Sequence, residues 1–196
     1  MLVQLLRLLG FAAFLFTGLV IVAGLALMLF GTLTGRPRLL TVTATAVTAW
    51  LACYAVAVLA GPFVTPRRSI APGEEIAFCG LDCHLHVSVA GISRDSGVAL
   101  TLRFRSDARV ASEYPSHLRI RLIDAAGHEY RPVGGEPLAP LPAGTEYRRD
   151  LRFDLPAGAV AERLVATWGD WQDYLVPGPE NAMVQRRRAF RVGGAA

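Results

Sequence analysis

The chain has 196 residues and a net charge of +4, but the charge is unevenly distributed. No acidic residue precedes Glu74, whereas the rest of the chain holds 15 arginines against 16 Asp and Glu, a net charge of −1. A neutral domain behind a basic N-terminal segment lacks the basic surface that nucleic acids require, so we expect no nucleic-acid partner. The basic excess instead flanks apolar sequence, as at the boundaries of membrane helices.

Two charge-free segments dominate the first third of the chain. Residues 8–35 and 39–66 each contain 28 residues without a charge, and only Arg36 and Arg38 interrupt them. Each segment would extend about 42 Å as a helix, whereas the hydrocarbon core of a bilayer is about 30 Å thick. We predict a two-helix transmembrane hairpin over residues 1–66, with spans at about 8–33 and 40–60. Because neither span contains an ionisable acid, base or histidine, we expect an anchor in the lipid bilayer and not a transport path.

Small residues in the two spans predict how they pack. Four glycines recur at near-heptad spacing in the first span: Gly10, Gly18, Gly24 and Gly31. Small and hydroxyl-bearing residues recur in the second span: Thr41, Thr45, Thr48, Ala52 and Ala55. We expect this second set to face the first helix.

A short linker, residues 67–73, follows the hairpin, and the two possible orientations receive opposing support. The arginine count favours a cytoplasmic C-terminal domain, because the flanks of the hairpin hold three arginines and its loop holds two. Cys79 and Cys83 favour the opposite orientation, because paired cysteines persist in oxidising compartments. We predict a two-pass protein of the cell (inner) membrane with an extracytoplasmic C-terminal domain.

From Glu74 onward, apolar and polar residues alternate with a period of two, as in strands with one buried face. Strands are predicted at residues 83–89, 98–105, 118–122, 128–131, 147–155, 164–168, 173–176 and 183–192. In the first of them, Leu85, Val87 and Val89 should face the core and His84, His86 and Ser88 the solvent. Seven or eight short strands separated by turns predict an antiparallel immunoglobulin-like β-sandwich over residues 74–196. The fold class is therefore α+β, a helical hairpin followed by a sandwich.

Three stretches of the soluble part resemble a known group of proteins. They are residues 78–89, which resemble a cysteine-flanked first strand, residues 151–158, which resemble a strand ending in a Pro-Ala-Gly turn, and residues 175–192, which resemble the closing segment and last strand. The group is that of bacterial extracytoplasmic immunoglobulin-like domains, similar to the mycobacterial secreted immunoprotein family. The resemblance implies a binding or scaffolding role and brings no catalytic chemistry.

Cys79, Cys83, His84 and His86 form the cluster with the clearest potential for chemistry. One interpretation is a Cys79–Cys83 disulfide that fixes the start of a strand, beside two solvated histidines. The alternative is a copper or zinc site made of two thiolates and two imidazoles. Alternation places Cys83 on the strand face opposite the histidines, so a shared metal site would need a bulge. Free thiols in a cytoplasmic domain are the third possibility.

Two further groups are candidates for a binding surface. Trp168, Trp171 and Tyr174 lie beside a turn, where they either pack into the core or form an exposed platform. The second group, Arg186, Arg187 and Arg188, forms either a solvated edge that prevents sheet-to-sheet association or a contact for anionic head groups or an acidic partner.

No catalytic signature is present, whether a nucleophile elbow, a phosphate-binding glycine loop or a His-Glu-x-x-His helix. We therefore expect a non-enzyme without a cofactor that acts as a membrane-anchored binding or scaffolding module of the cell envelope, with a protein partner in the membrane or envelope. The alternatives are copper or zinc handling and an envelope hydrolase with an unrecognised site.

Overall fold

The computed structural model describes residues 2–78, 84–94, 97–134, 137–169, 171–178 and 181–193. The chain divides into two compact units. The helical unit comprises Met1–Thr65 and Trp171–Val184, and the β unit comprises Pro66–Asp170 and Gln185–Ala196. The sequence-based limits of 1–66, 67–73 and 74–196 stay a prediction, but the structure groups residues 171–184 with the helices.

Two long apolar helices form the N-terminal part of the helical unit. Helix α1 spans Leu2–Leu33 and helix α2 spans Pro37–Val64. A tight turn joins them, in which Gly35 adopts φ 62° and the Arg36 N–H donates to the Gly31 carbonyl over 2.9 Å. The second helix is longer than the predicted 40–60 because Pro37 is well suited to the first turn, where its missing N–H costs no hydrogen bond.

The face that α1 buries follows the heptad positions Gly10, Thr17, Gly24 and Gly31. At Gly24 and Gly31 a β-carbon would meet side chains of α2, so the absence of one permits the close approach. Gly18 has open space around it, which corrects its assignment to this face.

On α2, the predicted contact face of small residues is wrong. Thr41, Thr45, Thr48, Ala52 and Ala55 are all exposed. The buried face instead contains Thr43 and Val58, with Trp50 half-buried between them. Trp50 Nε1 donates a hydrogen bond to Thr17 Oγ1 over 3.0 Å, and the Phe16 ring meets the indole edge-on at 5.0 Å. A tryptophan whose polar N–H finds an acceptor on α1, and not the threonine stripe, sets the rotation of α2.

Residues 171–184 complete the helical unit and contradict the predicted strand 173–176. This segment contains a 3-10 helix at Trp171–Tyr174 and the start of helix α3, Ala182–Gln185. Asn181 is fully buried, and its Nδ2 donates hydrogen bonds to the backbone carbonyls of Tyr174 and Val176 at 2.9 and 3.1 Å. These carbonyls therefore have partners without a neighbouring strand. The Tyr54 hydroxyl of α2 donates to the Leu175 carbonyl over 2.6 Å, which ties the segment to the helices.

The described part of the β unit contains nine strands, one or two more than predicted. They are β1 Arg68–Ile70, β2 Ile76–Phe78, β3 Leu85–Ser93, β4 Val98–Ser106, β5 Leu118–Asp124, β6 Glu129–Tyr130, β7 Glu146–Phe153, β8 Ala161–Trp168 and β9 Arg188–Arg191. One sheet has the order β1-β9-β8-β5-β6 and the other the order β2-β3-β4-β7. The β1–β9 pair is parallel and the remaining pairs are antiparallel.

Two differences from prediction concern the linker and the last strand. Strand β1 lies in the predicted linker, and β9 begins at Arg188 and not near residue 183, because α3 occupies Ala182–Gln185.

The core of the β unit lies between the two sheets and follows the predicted alternation. Leu85 and Val87 of β3 and Leu100, Leu102 and Phe104 of β4 are completely buried. Ser88, predicted to face solvent, is only 3% exposed. It lies directly opposite Arg103 of β4, whose long side chain stands on the same sheet face.

Candidate functional site

The histidines predicted from the sequence meet at one carboxylate. His84 immediately precedes β3, His86 lies within it, and Asp107 immediately follows the paired strand β4. His84 Nδ1 lies 2.7 Å from Asp107 Oδ1, and His86 Nε2 lies 3.0 Å from Asp107 Oδ2. Because an ionised carboxylate only accepts hydrogen bonds, each of these ring nitrogens carries the donated proton. The two imidazoles are thereby fixed on one face of the four-stranded sheet.

A second carboxylate extends this arrangement into a network. Glu75, next to β2, receives two hydrogen bonds from Arg105, at 3.2 Å from Nε and 2.8 Å from Nη2. Its Oε2 is also 3.6 Å from His86 Nδ1, and Arg103 lies 3.9 Å away while pairing with Glu146. We call the side chains of Glu75, His84, His86, Arg103, Arg105, Asp107 and Glu146 the charged network.

The charged network favours the ionised form of its carboxylates. The hydrogen bond from Arg105 lowers the pKa of Glu75 and outweighs the opposing effect of burial. Likewise, the hydrogen bond from His84, supported by that from His86, lowers the pKa of Asp107. The same contact with Glu75 raises the pKa of Arg105. The acids and bases of the charged network therefore satisfy one another.

The cysteine half of the predicted cluster, Cys79 and Cys83, lies outside the described residues. The disulfide and the four-ligand metal site therefore both stay predictions. Within the described ranges, no group of three or more His, Cys, Asp or Glu side chains is arranged to hold a metal ion.

The aromatic residues predicted as a binding surface are divided between the two units. Trp168 ends β8 and is half-buried, with its ring edge-on to Phe78 at 5.9 Å. Its backbone N–H donates to Gln185 Oε1 over 2.9 Å. Trp171 and Tyr174 instead lie in the 3-10 helix of the helical unit, where Tyr174 is half-buried. Trp168 thus packs against the core, and the structure does not group it with the other two.

The predicted basic group, Arg186–Arg188, is divided: Arg186 and Arg187 lie in the turn before β9 and join a larger set of arginines, whereas Arg188 is the first residue of β9. Six arginines line a cavity of about 360 Å³ on the five-stranded sheet: Arg67, Arg68, Arg163, Arg186, Arg187 and Arg191. We call this cavity the arginine cleft. Glu162 is the acidic side chain among the described residues that line it.

A larger cavity, of about 640 Å³, lies against β5 and β7 in the same unit. Its lining combines apolar side chains with four arginines: Arg119, Arg121, Arg131 and Arg149. Arg121 is 3.3 Å from Glu129, so part of this charge is neutralised.

Sequence reasoning missed most of the residues that surround these sites. Glu75 and Asp107 lie 11 and 21 residues from His86 along the chain and carry no motif of their own. The sequence analysis assigned no role to Arg163 or Arg191, although both lie in stretches predicted to contain strands or next to them. Their direct opposition appears only when the register of the two strands is known.

No protein-family model matches the chain, and none of the curated proteins does. Among solved structures, the chain is similar to MPT63, a secreted protein from Mycobacterium tuberculosis whose crystal structure was determined at 1.5 Å resolution, with 15% identity and a TM-score of 0.42. The matched region covers 54% of this chain and 92% of that one. Similarity at this level does not assign a function to the chain.

Proposed function

We propose that the protein is a two-pass membrane protein of the cell envelope whose immunoglobulin-like β-sandwich acts as a binding or scaffolding module without catalysis. In this proposal the sandwich lies outside the cytoplasm and engages a protein partner in the membrane or envelope. The hairpin anchors it in the lipid bilayer.

The observation that carries the proposal is the exposure of both apolar helices. Leu8–Leu33 and Pro37–Val64 are long and apolar enough to cross a bilayer, yet only 11% of the most apolar window of each is buried within the protein. A core helix of a water-soluble protein would be mostly buried. Two neighbouring helices with apolar residues on all sides are instead suited to a lipid environment.

The arginine cleft supports a binding role, because six arginines line one cavity. Guanidinium groups bind anionic groups through charge-assisted hydrogen bonds. The two sheets supply the support that holds these side chains.

Alkaline extraction combined with a topology reporter tests the proposal. The full chain should remain in the membrane pellet after carbonate treatment, and a C-terminal phosphatase that folds only outside the cytoplasm should be active. Release into the carbonate supernatant would refute the membrane anchor. An inactive phosphatase, together with a fluorescent C-terminal reporter that matures in the cytoplasm, would refute the orientation.

Metal handling is the second candidate, because Cys79 and Cys83, which lie outside the described residues, are close to His84 and His86 in the sequence. Native mass spectrometry of the full chain, purified without chelator, tests it. A bound copper or zinc ion that disappears in His84→Ala/His86→Ala would support metal handling. A metal-free protein whose mass is two hydrogens below the reduced form would support a structural disulfide.

A further inference from the structure

The arginine cleft carries more positive charge than the surrounding side chains neutralise. Glu74 Oε1 lies 2.5 Å from Arg68, and Glu129 pairs with Arg186. Glu129 is shared with Arg121, which lies outside the cleft. Glu162 reaches only to 4.0 Å from Arg163 Nε, beyond hydrogen-bond distance. Within the described part of the chain, six guanidinium groups therefore have three neighbouring carboxylates, one of them shared.

Strand register places like charges against each other in this cleft. Arg163 of β8 lies directly opposite Arg191 of β9. Like charges in directly opposed positions on neighbouring strands destabilise a sheet. An anion placed between the two guanidinium groups would turn this repulsion into attraction.

Two nitrogen atoms in the cleft lack the hydrogen bonds that burial demands. The Nε atoms of Arg163 and Arg187 are shielded from solvent, and neither has a hydrogen-bond partner among the described residues. A buried N–H without an acceptor is unfavourable, and a guanidinium group donates in the planar, forked geometry that matches a phosphate. The Arg163 side chain is 37% exposed and Arg187 is half-buried, so a phosphate in the cleft would be bound by the part of each guanidinium group that lines the cavity.

The position of the cleft along the chain indicates where that oxyanion comes from. Only Thr65 and Pro66 separate Arg67 from Val64, the last residue of α2. Chain length alone keeps Arg67 within about 11 Å of the helix end. If α2 ends at a membrane surface, Arg67 lies close to the head groups of anionic lipids. Basic residues next to a membrane span attract such head groups. The cavity volume of about 360 Å³ is within the usual range for small ligands.

We propose that the arginine cleft binds the phosphate group of an anionic membrane lipid, with Arg163, Arg187 and Arg191 as its principal ligands. The inference rests on the proposed membrane anchorage, which brings the lipid to the cleft. It assigns the β unit a lipid-binding site in addition to its protein-binding role.

Lipid titration of the full chain in a nonionic detergent, followed by native mass spectrometry, tests the proposal. The probes are phosphatidylglycerol, phosphatidylcholine with the same acyl chains, and inorganic phosphate. Arg163→Gln/Arg187→Gln is compared with Arg148→Gln/Arg152→Gln, which removes the same charge from exposed positions on β7 outside the cleft. We expect phosphatidylglycerol to bind the wild type selectively, and roughly tenfold more weakly to the cleft variant, while the control binds as the wild type does.

Three outcomes would overturn the proposal. Equal weakening in both double variants would mean that binding follows overall charge. Undiminished binding in the cleft variant would place the lipid elsewhere. Inorganic phosphate binding as tightly as the lipid would make the cleft a site for a soluble anion.

Two further measurements keep these outcomes separable. Arg191→Gln replaces an exposed side chain, so it reports on the cleft even if the double variant fails to fold, and it should also weaken phosphatidylglycerol binding. Carbonate extraction of the same variants separates this inference from membrane anchorage. A cleft variant that stays in the membrane pellet but has unchanged lipid selectivity refutes the cleft alone, whereas extraction of the wild type refutes the anchor.

Discussion

The outer faces of the two sheets both carry dense charge, but they balance it differently. On the four-stranded sheet, Glu75 receives two hydrogen bonds from Arg105, and Asp107 receives one from each of two histidines. Both sheets place arginines directly opposite each other. On the four-stranded sheet Arg103 faces Arg148, and Glu146 pairs with Arg103. On the five-stranded sheet Arg163 faces Arg191, and Glu162 reaches only to 4.0 Å from Arg163.

This difference separates a cluster that stabilises the fold from one prepared for a ligand. Charges that satisfy one another lower the folding free energy modestly and leave nothing to attract a partner. Charges of one sign that strand register holds together raise the free energy of the folded protein without a ligand. Binding of an anion removes this unfavourable repulsion.

A buried carboxylate of the five-stranded sheet, Asp124, is not available to neutralise the arginine cleft. Asp124 is 3% exposed and accepts hydrogen bonds from His128 N at 2.8 Å, Tyr130 Oη at 2.9 Å and His128 Nδ1 at 3.1 Å. Burial acts to raise its pKa, but these bonds outweigh burial and lower the pKa from 3.8 to about 2. The Asp124 carboxylate therefore stabilises the turn between β5 and β6 and does not pair with the arginines of the cleft.

Asp124→Asn should lower the melting temperature by several degrees, the largest effect among these predictions. An amide cannot accept on both sides of its head, so at least one of the donors would lose its partner. Because the folded pKa lies below the ordinary value, the stabilisation is present above pH 3.8 and is lost as the pH falls towards 2. Thermal unfolding of Asp124→Asn at neutral pH checks this. A decrease no larger than that of Asp154→Asn, at an exposed position, would contradict it.

Glu75→Gln should lower the free energy of unfolding by about 1 kcal/mol, because it removes the carboxylate that joins Arg105, Arg103 and His86. The value is modest since the network is partly exposed to solvent. Chemical denaturation of the full chain in detergent measures it, with Asp154→Asn, at an exposed position, as the control for the loss of a negative charge. An unchanged midpoint for Glu75→Gln would mean that this balanced cluster does not stabilise the fold.

The pH dependence of stability should reveal the same cluster more weakly. The pKa values of Glu75 and Asp107 are lowered from 4.5 and 3.8, so their stabilising effect is complete above these values and is lost as the pH falls below them. Melting temperatures of the wild type and of Glu75→Gln/Asp107→Asn should therefore converge as the pH is lowered from 4.5. Parallel curves over this range would show that neither carboxylate is perturbed by folding.

The sequence predicts strand faces well and helix faces poorly, for a physical reason. In β3 and β4 a period of two leaves one choice of buried face, and Leu85, Leu102 and Phe104 are buried as predicted. In α2 apolar residues surround the helix, so no amphipathic pattern selects a contact face. The indole N–H of Trp50, which donates to the Thr17 hydroxyl, sets the rotation of α2 about its axis. A pattern of small residues cannot show that pairing.

The candidate sites were only partly accessible to sequence reasoning for a related reason. His84 and His86 share a strand, so their common face follows from spacing. Their partner Asp107 lies beyond the next strand, and its position depends on the β3–β4 register. The predicted strand at 173–176 failed because Asn181, from outside that segment, satisfies backbone carbonyls that a sheet would otherwise pair.

The smallest prediction has the opposite sign from the others. Arg191→Gln should raise the free energy of unfolding of the lipid-free protein by a few tenths of a kcal/mol, and by at most about 1 kcal/mol, because it removes a charge directly opposed to Arg163. Matched denaturation in nonionic detergent, with and without phosphatidylglycerol, measures the effect. The lipid should stabilise the wild type more than the variant, since the guanidinium group that repels Arg163 in the empty cleft attracts a phosphate when one is bound. A variant that is less stable than the wild type without lipid would show that Arg191 is already balanced within the fold. In that case the contrast between the two sheets would no longer separate a structural cluster from a binding site.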